Sequence, residues 1–229
     1  MRITKPVNKE IDQIMTRTLK INEIFYSIQG ETSFSGMLTV FIRLTGCPLR
    51  CVYCDTEYAF YKGEKITIEE ILRKTAGYRT RFVTVTGGEP LAQKNCLDLL
   101  RLLCDEGYQV LLETSGAIDL TDVDSRVCKI VDIKTPGSGE EAKNCWDNLQ
   151  YLTPTDQIKF VICDRKDYEW AREKQNEYRL HERCNEILFS PSHEQLGASQ
   201  LAEWILEDQL PVRLQIQLHK YLWGNVAGK

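Results

Sequence analysis

Short apolar runs alternate with amphipathic stretches along most of this chain. Residues 38–44 predict a strand in which Val40, Ile42 and Leu44 share one face. Other predicted strands are residues 82–86, 108–113, 127–132, 158–163, 187–189 and 212–218, and residues 21–28 alternate in part. Helical periodicity is found in residues 67–76, 91–106, 166–183 and 198–208. Strands that alternate with helices indicate parallel pairing with right-handed crossovers.

The number of these repeats predicts the fold class. About six or seven β–α units fit the chain, fewer than the eight of a complete (β/α)8 barrel. We therefore predict an α/β fold, a single-domain, truncated and open (β/α) barrel with its active site at the carboxyl ends of the strands. Residues 1–20 are interpreted as an N-terminal extension, mobile or packed on a partner subunit, and residues 21–229 as the barrel domain with a C-terminal substrate-pocket segment.

Composition limits the classes of function. The 229 residues are 42% hydrophobic and 27% charged, as in ordinary soluble globular proteins. A formal net charge of −4 argues against non-specific binding of nucleic acid and suits a small-molecule substrate. No stretch resembles a membrane span or a signal peptide, so we expect a cytoplasmic protein without a membrane partner. Nine cysteines then belong to a reducing compartment.

Three of those cysteines lie in one loop after the strand at residues 38–44. Cys47, Cys51 and Cys54 have a spacing that lets three thiols converge on one soft metal centre, with Gly46 relaxing the backbone. Closed zinc sites and most electron-transfer clusters take four protein ligands, so three thiols leave a position open for catalysis. The alternative is three buried small apolar residues. Core packing is the interpretation of the other six, Cys96, Cys104, Cys128, Cys145, Cys163 and Cys184.

A second motif, Gly-Gly-Glu-Pro at residues 87–90, follows the strand at residues 82–86. Its glycines allow close approach of the backbone to a ligand, and the Glu89 carboxylate can hold an ammonium group. The alternative is a strand-to-helix turn with an acidic residue in the first helical turn.

The Cys-x3-Cys-x2-Cys spacing, with Tyr53 just before the last cysteine, resembles the signature of the radical S-adenosylmethionine (SAM) enzymes. The resemblance implies a [4Fe–4S] cluster on Cys47, Cys51 and Cys54, with SAM chelating the open iron. It also implies SAM contacts from Tyr53, Cys54, Asp55, Gly88, Glu89, Ser115, Asp132, Ile133, Lys134, Ser190, Pro191, Ser192 and His193. For the strand-end residues from Ser115 onwards, ordinary turn chemistry is the alternative.

A further set of residues consists of Gln29, Glu31, Arg43, Asp55-Thr56 and, near the end, Gln217, His219 and Lys220. Together they resemble one family within that superfamily, 7-carboxy-7-deazaguanine synthase. The resemblance implies Mg2+ on Thr56 and substrate contacts from Ile28, Gln29, Gly30, Glu31, Arg43, Thr86, Gln217, His219 and Lys220. From the residues alone, an arginine on a core strand needs an anion, either a structural carboxylate or one on a substrate. For Asp55 and Thr56, helix capping is the alternative.

This resemblance implies a radical SAM lyase that converts 6-carboxy-5,6,7,8-tetrahydropterin into 7-carboxy-7-deazaguanine with loss of ammonia, in queuosine and 7-deazapurine biosynthesis. SAM would be regenerated, and no catalytic side chain is expected beyond the cluster and the SAM radical. A reductant such as flavodoxin or ferredoxin and a homodimer are implied as well.

One departure and two rivals remain. Members of this family often end soon after the His-Lys pair, whereas this chain continues from Lys220 to Lys229.

The rivals are a glycyl-radical enzyme activase, which acts on a protein partner, and a non-catalytic metal-binding interaction module.

Overall fold

The computed structural model describes residues 9–224, 226 and 228, and these form one sheet with helices packed on it. The strands are β1 (Thr18–Ile28), β2 (Leu38–Leu44), β3 (Glu64–Thr67), β4 (Phe82–Gly87), β5 (Gln109–Thr114), β6 (Cys128–Ile133), β7 (Gln157–Ile162), β8 (Glu186–Pro191) and β9 (Arg213–Leu214). The α-helices are α1 (Lys9–Met15), α2 (Ile68–Ala76), α3 (Cys96–Asp105), α4 (Arg165–Glu177), α5 (Ala198–Glu207) and α6 (Leu218–Trp223). Short 3-10 helices occupy Glu57–Phe60, Pro90–Ala92, Pro136–Ser138, Glu141–Lys143, Trp146–Tyr151 and Leu180–Glu182.

The nine strands follow the order β3-β1-β2-β4-β5-β6-β7-β8-β9. From β2 to β9 all neighbours are parallel, and crossover connections give the expected β–α repeats. Because β3 and β9 are separate edges of this sheet, the barrel is open. The predicted truncated barrel is confirmed.

The antiparallel start of the sheet was not predicted. β1 pairs antiparallel with both β2 and β3. β3 is only four residues long and its first two residues are exposed, so it carries little apolar alternation for sequence analysis to detect.

The two faces of the sheet differ in polarity. Val40, Ile42 and Leu44 of β2 have no exposed surface and lie in the apolar core with the inner faces of α2 and α3, as the alternation predicted. The opposite face carries side chains with hydroxyl groups, and the Oγ1 atoms of Thr39 and Thr84 lie 3.1 Å apart. This polar face is the interior of the open barrel.

Some element ends differ from the sequence prediction. α3 begins at Cys96 rather than near residue 91, because Pro90–Ala92 forms a 3-10 helix and Gln93 is extended. α4 ends at Glu177 because Arg179 is left-handed, with φ of 48°. The last predicted strand is reduced to Arg213–Leu214, and α6 follows where no helix was expected.

The N-terminal extension was predicted to span residues 1–20, of which residues 1–8 lie outside the described part of the chain. α1 and the start of β1 fall in the remainder. Ile14 is 3% exposed, and Leu19 pairs with Ile66 of β3, so both are in the core. Among the described residues, no helix is long and apolar enough to cross a membrane.

Candidate active site

The cysteine loop leaves β2 and is held by the turn that follows β4. Gly88 N donates to Leu44 O at 3.2 Å, and Glu89 N donates to Gly46 O at 2.8 Å. Gly46 has φ of +98°, a conformation that glycine adopts without strain. A Cβ at position 88 would overlap the Gly46 carbonyl group. Gly46 and Gly88 are therefore both needed for the contact between this turn and the loop.

The three thiols of the loop are free and half-buried. Burial raises the pKa of all three and brings that of Cys51 to about 11, while the nearby charge of Lys134 acts in the opposite direction. No group of His, Cys, Asp or Glu among the described residues is arranged to hold a single metal ion. Thiolates are the ligands that iron–sulfur clusters take, so the donor set of the loop suits such a cluster, and three thiols would leave one iron without a protein ligand.

Residues after β6 form one wall of this loop. Val52 N donates to Ser138 O at 3.0 Å, and Arg50 N donates to the Glu140 carboxylate. Tyr53 turns inward, with a buried hydroxyl that has no hydrogen-bond partner among the described residues. This hydroxyl is available to a ligand.

Glu89 has no exposed surface, and both oxygens of its carboxylate accept hydrogen bonds from nearby residues. Its carboxylate accepts hydrogen bonds from Leu91 N, Thr114 Oγ1, Ser115 N and Ser115 Oγ at 2.6–3.0 Å. The motif therefore does form the strand-to-helix turn that was the alternative interpretation. SAM contacts of Glu89 and Ser115 stay a prediction.

Inside the barrel, Gln29 connects the end of β1 to β5. Its Nε2 donates to Glu113 Oε1 at 3.0 Å, and its Oε1 accepts from Glu31 N at 2.9 Å. Thr86 Oγ1 donates to the other Glu113 oxygen at 2.8 Å. Burial and the charge of Glu31 raise the pKa of Glu113 above its usual value. The predicted residues Gln29, Glu31 and Thr86 thus meet around one carboxylate.

A chain of alternating charges runs from the carboxyl end of β6 to the middle of β7 and the loop after β1. Lys134 Nζ lies 3.1 Å from Asp132 Oδ1, and Lys159 Nζ lies 3.8 Å from Asp132 Oδ2 and 2.5 Å from Glu31 Oε2. Burial lowers the pKa of Lys159, but the charges of Glu31 and Asp132 outweigh burial and leave it raised. These four groups join the wall of the cysteine loop to the polar interior.

The C-terminal segment contacts Glu31 of the polar interior and Asp55 next to the last cysteine of the loop. Gln217 Nε2 donates to Glu31 Oε1 at 2.9 Å and to Asp55 Oδ2 at 3.1 Å, and Lys220 Nζ donates to Asp55 Oδ2 at 2.8 Å. His219 Nε2 is 3.8 Å from Glu31 Oε1. The three predicted residues of this segment therefore lie beside Glu31 and Asp55, and their substrate contacts stay a prediction.

The contacts of Thr56 and Arg43 distinguish between the alternatives given for each, helix capping for Thr56 and the kind of anion for Arg43. The Thr56 hydroxyl donates to Asp55 Oδ1 at 2.9 Å and makes no capping bond to the 3-10 helix after it. Arg43 Nε donates to Glu23 Oε1 at 2.7 Å, the structural carboxylate that was one of the two expected anions. The capping interpretation therefore does not apply to Thr56, and Arg43 is positioned by an ion pair.

Comparison with known proteins identifies the family. Residues 41–133 match the Radical SAM superfamily. The 7-carboxy-7-deazaguanine synthase of Koribacter versatilis is 43% identical over 90% of this chain and 97% of its own length. That of Chlorobaculum tepidum is 46% identical over 91% of this chain and 96% of its own. This chain belongs to the 7-carboxy-7-deazaguanine synthase family.

A solved structure agrees with this placement. The crystal structure of QueE from Escherichia coli superimposes with a TM-score of 0.75 at 25% sequence identity, covering 93% of this chain and 99% of that one. Membership in the synthase family confirms the expected radical SAM enzyme class, with a [4Fe–4S] cluster, SAM and Mg2+ as cofactors. Which side chains hold each cofactor is not tested by these comparisons.

The remaining predicted SAM residues lie at the strand ends that the synthase fold brings together. Ser190 and Pro191 end β8, and Ser192 N donates to Ile162 O at 2.8 Å, which keeps this segment beside β7. Ile133 ends β6 and is 4% exposed. These residues, with His193 next in the chain, share an edge with the cysteine loop.

Sequence analysis missed Glu113 and Lys159 as site residues. Each is a charged residue within a mostly apolar strand, next to buried neighbours such as Leu112 and Phe160. A charge in such a position needs a buried partner, and this signal was available in the sequence. The identity of the partner could not be read from the sequence, because Glu31 and Lys159, for example, are 128 positions apart.

Proposed function

We propose that this chain converts 6-carboxy-5,6,7,8-tetrahydropterin into 7-carboxy-7-deazaguanine with loss of ammonia. It would act as a carbon–nitrogen lyase in queuosine and 7-deazapurine biosynthesis, with SAM regenerated in each cycle. The observation that carries this proposal is similarity over nearly the full length of two proteins named for that product, at 43% and 46% identity. The polar interior supports it independently.

The interior offers a binding surface suited to a pterin. Gln29, Glu31 and Glu113 place an amide and two carboxylates side by side, and these can accept hydrogen bonds from the N–H groups of an aminopyrimidine ring. Arg43 and a magnesium ion on Thr56 would balance the substrate carboxylate. Arg43 is preorganised for this because its Nε is already fixed by Glu23.

When bound, the cluster and SAM would supply one-electron radical chemistry, and the chain supplies the pocket around them. Cys47, Cys51 and Cys54 would hold the cluster. The C-terminal segment would exclude water, since Gln217 and Lys220 tie it across the opening to Glu31 and Asp55. Holding the substrate in one orientation beside SAM is then the main task of the protein.

The partners belong to this proposal as well. A small-molecule substrate and an external reductant follow from the enzyme class, and we propose a one-electron carrier such as flavodoxin or ferredoxin. We also propose that the protein is a homodimer. We propose a location in the cytoplasm as well, and nine free cysteines are consistent with that reducing compartment.

The proposed reaction is tested with anaerobically reconstituted protein, dithionite, SAM, Mg2+ and the carboxytetrahydropterin. We expect 7-carboxy-7-deazaguanine, identified by chromatography and mass spectrometry. Cys51→Ala should bind little iron and form no product, whereas Cys104→Ala, outside the loop on α3, should keep its iron. If SAM is cleaved while the pterin is unchanged, the substrate assignment is wrong and the superfamily assignment stands.

Magnesium dependence tests the proposed role of Thr56. Thr56→Ala removes the hydroxyl that would ligate the ion, so the Mg2+ concentration for half-maximal turnover should rise by about tenfold or more. Thr56→Ser is the matched control because it keeps the oxygen, and iron content should be the same in both. An unaltered magnesium requirement in Thr56→Ala would exclude this ligand.

A further inference from the structure

Lys134 is held in a fixed position directly after β6. Its backbone N donates to Asn144 Oδ1 at 2.8 Å, and its carbonyl accepts from Asn144 Nδ2 at 2.8 Å. The residue is 8% exposed, so little water surrounds the side chain. A charge in this position is poorly screened and acts strongly on its neighbours.

The ammonium of Lys134 faces the cysteine loop. Its Nζ lies 5.8 Å from the centre of the Tyr53 ring, and Tyr53 stands between Cys51 and Cys54 in the loop. The loop itself is fastened to the segment after Lys134 by the bond from Val52 N to Ser138 O. Backbone contacts on both sides therefore hold residue 134 beside the loop.

An ion pair holds the ammonium of Lys134 in place. Its Nζ lies 3.1 Å from Asp132 Oδ1, and it also lies over the ring of Tyr53 in the cysteine loop. The positive charge is therefore fixed beside the loop.

A nearby cation changes the energy of a cluster in a predictable way. One-electron reduction adds one negative charge to the cluster while the three thiolates stay bound. A fixed positive charge in a poorly solvated region stabilises the more negative form, so it favours reduction.

We propose that the fixed positive charge of Lys134 raises the reduction potential of the [4Fe–4S] cluster before SAM binds. The inference rests on the cluster of the superfamily and does not depend on the pterin substrate. By this role Lys134 makes transfer of one electron from a reductant to the cluster more favourable.

The test measures the potential directly on anaerobically reconstituted protein without SAM or substrate. A dye-mediated dithionite titration, followed by electron paramagnetic resonance of the reduced cluster, compares wild type with three variants. Lys134→Met should lower the equilibrium constant for one-electron reduction about tenfold, which corresponds to a potential about 59 mV more negative. Lys134→Arg should restore the wild-type value within a factor of about three.

Lys159→Met is the matched control. Lys159 is also a buried lysine paired with Asp132, but its ammonium bonds to Glu31 on the substrate side. Its removal should leave the potential of the cluster unchanged. An equal shift in both lysine variants would overturn the proposal, because the effect would then be a general one of charge or folding.

A further variant keeps the proposal testable if Lys134→Met takes up too little iron. Asp132→Asn retains the ammonium and removes its counter-charge, so reduction should become easier and the potential should rise. A fully loaded Lys134→Met protein with the wild-type potential would show that the lysine acts only on bound SAM. A potential at or below wild type in Asp132→Asn would likewise contradict the inference.

Discussion

Single side chains at this site do structural work that their motifs do not reveal. Glu89, within a motif that suggests ligand binding, joins the end of β4 to the end of β5 by accepting bonds from Leu91, Thr114 and Ser115. All of its partners are donors, so only a group that accepts at both oxygens satisfies them.

Glu89→Gln tests this arrangement. The amide would place an N–H group against buried donors, and we expect the free energy of unfolding to fall by about 2–3 kcal/mol. Urea denaturation of the reduced, cluster-free chain measures the change. Glu70→Gln is the control, since Glu70 lies on the surface of α2 beside Lys74 and should cost no more than about 0.5 kcal/mol. Equal losses in the two variants would contradict the proposed network.

At this scale, sequence analysis predicted the residues that form local motifs. The cysteine loop, Gln29-Gly30-Glu31 and the Gln217 segment could be recognised because each is short and continuous. Glu113 and Lys159 could not be assigned, because their partners Gln29 and Glu31 lie in the loop after β1, far away in the sequence, and are brought close only by the fold of the sheet.

Elements position the cluster loop through close backbone packing. The turn after β4 lies directly against the loop after β2, and this contact depends on Gly88 having no side chain. The registers of β2 and β4, with Arg43 opposite Thr86 and Leu44 opposite Gly87, bring the two turns to the same edge.

Gly88→Ala should therefore displace the cysteine loop. Its Cβ would overlap the Gly46 carbonyl group and contact the Cys47 side chain, so we expect most iron binding to be lost on reconstitution. Gly197→Ala is the control, because its nearest atom would be Ser199 Oγ at 3.9 Å and φ is −68°. Full iron content in Gly88→Ala, measured per chain, would show that this packing is dispensable.

Among the elements, those with apolar periodicity were predicted, whereas β3 and α6 were not, and β9 was predicted too long, as residues 212–218. β2 and β4–β8 carry buried runs that mark them as parallel strands. β3 and β9 are short and exposed, and each is a strand only because a longer neighbour pairs with it. α6 is held by side-chain contacts to Glu31 and Asp55, which its own sequence pattern does not show.

In the whole molecule, the C-terminal segment spans the open barrel. It leaves β9 at one edge of the sheet and returns to the loop after β1, where Leu218 N donates to Gly30 O at 3.1 Å. Its charged contacts are to Asp55 and Glu31. Burial raises the pKa of each, but Lys220 at Asp55 and Lys159 at Glu31 outweigh burial and leave both pKa values lowered.

These shifts predict how acid affects the molecule. A carboxyl group with a lowered pKa stabilises the fold above its ordinary pKa, near 4, and this stabilisation is lost as the pH falls through the lower folded value. Urea unfolding at pH 7 and at pH about 3 should show a smaller loss of stability in Asp55→Asn than in wild type. Lys220→Met should reduce the loss similarly, since it removes the same ion pair. An unchanged loss in both variants would mean that the segment does not contribute.

The loop after β1 has a consequence for how the protein is made on the ribosome. Gln29, Glu31 and Ser33 are synthesised early, but they bond to Glu113, Gln157, Lys159 and Gln217, which emerge much later. The loop after β1 must wait until Gln217, 186 positions after Glu31, has been synthesised before its polar groups are satisfied. A chain terminated before Gln217 cannot complete these contacts and would expose this loop to chaperones and proteases.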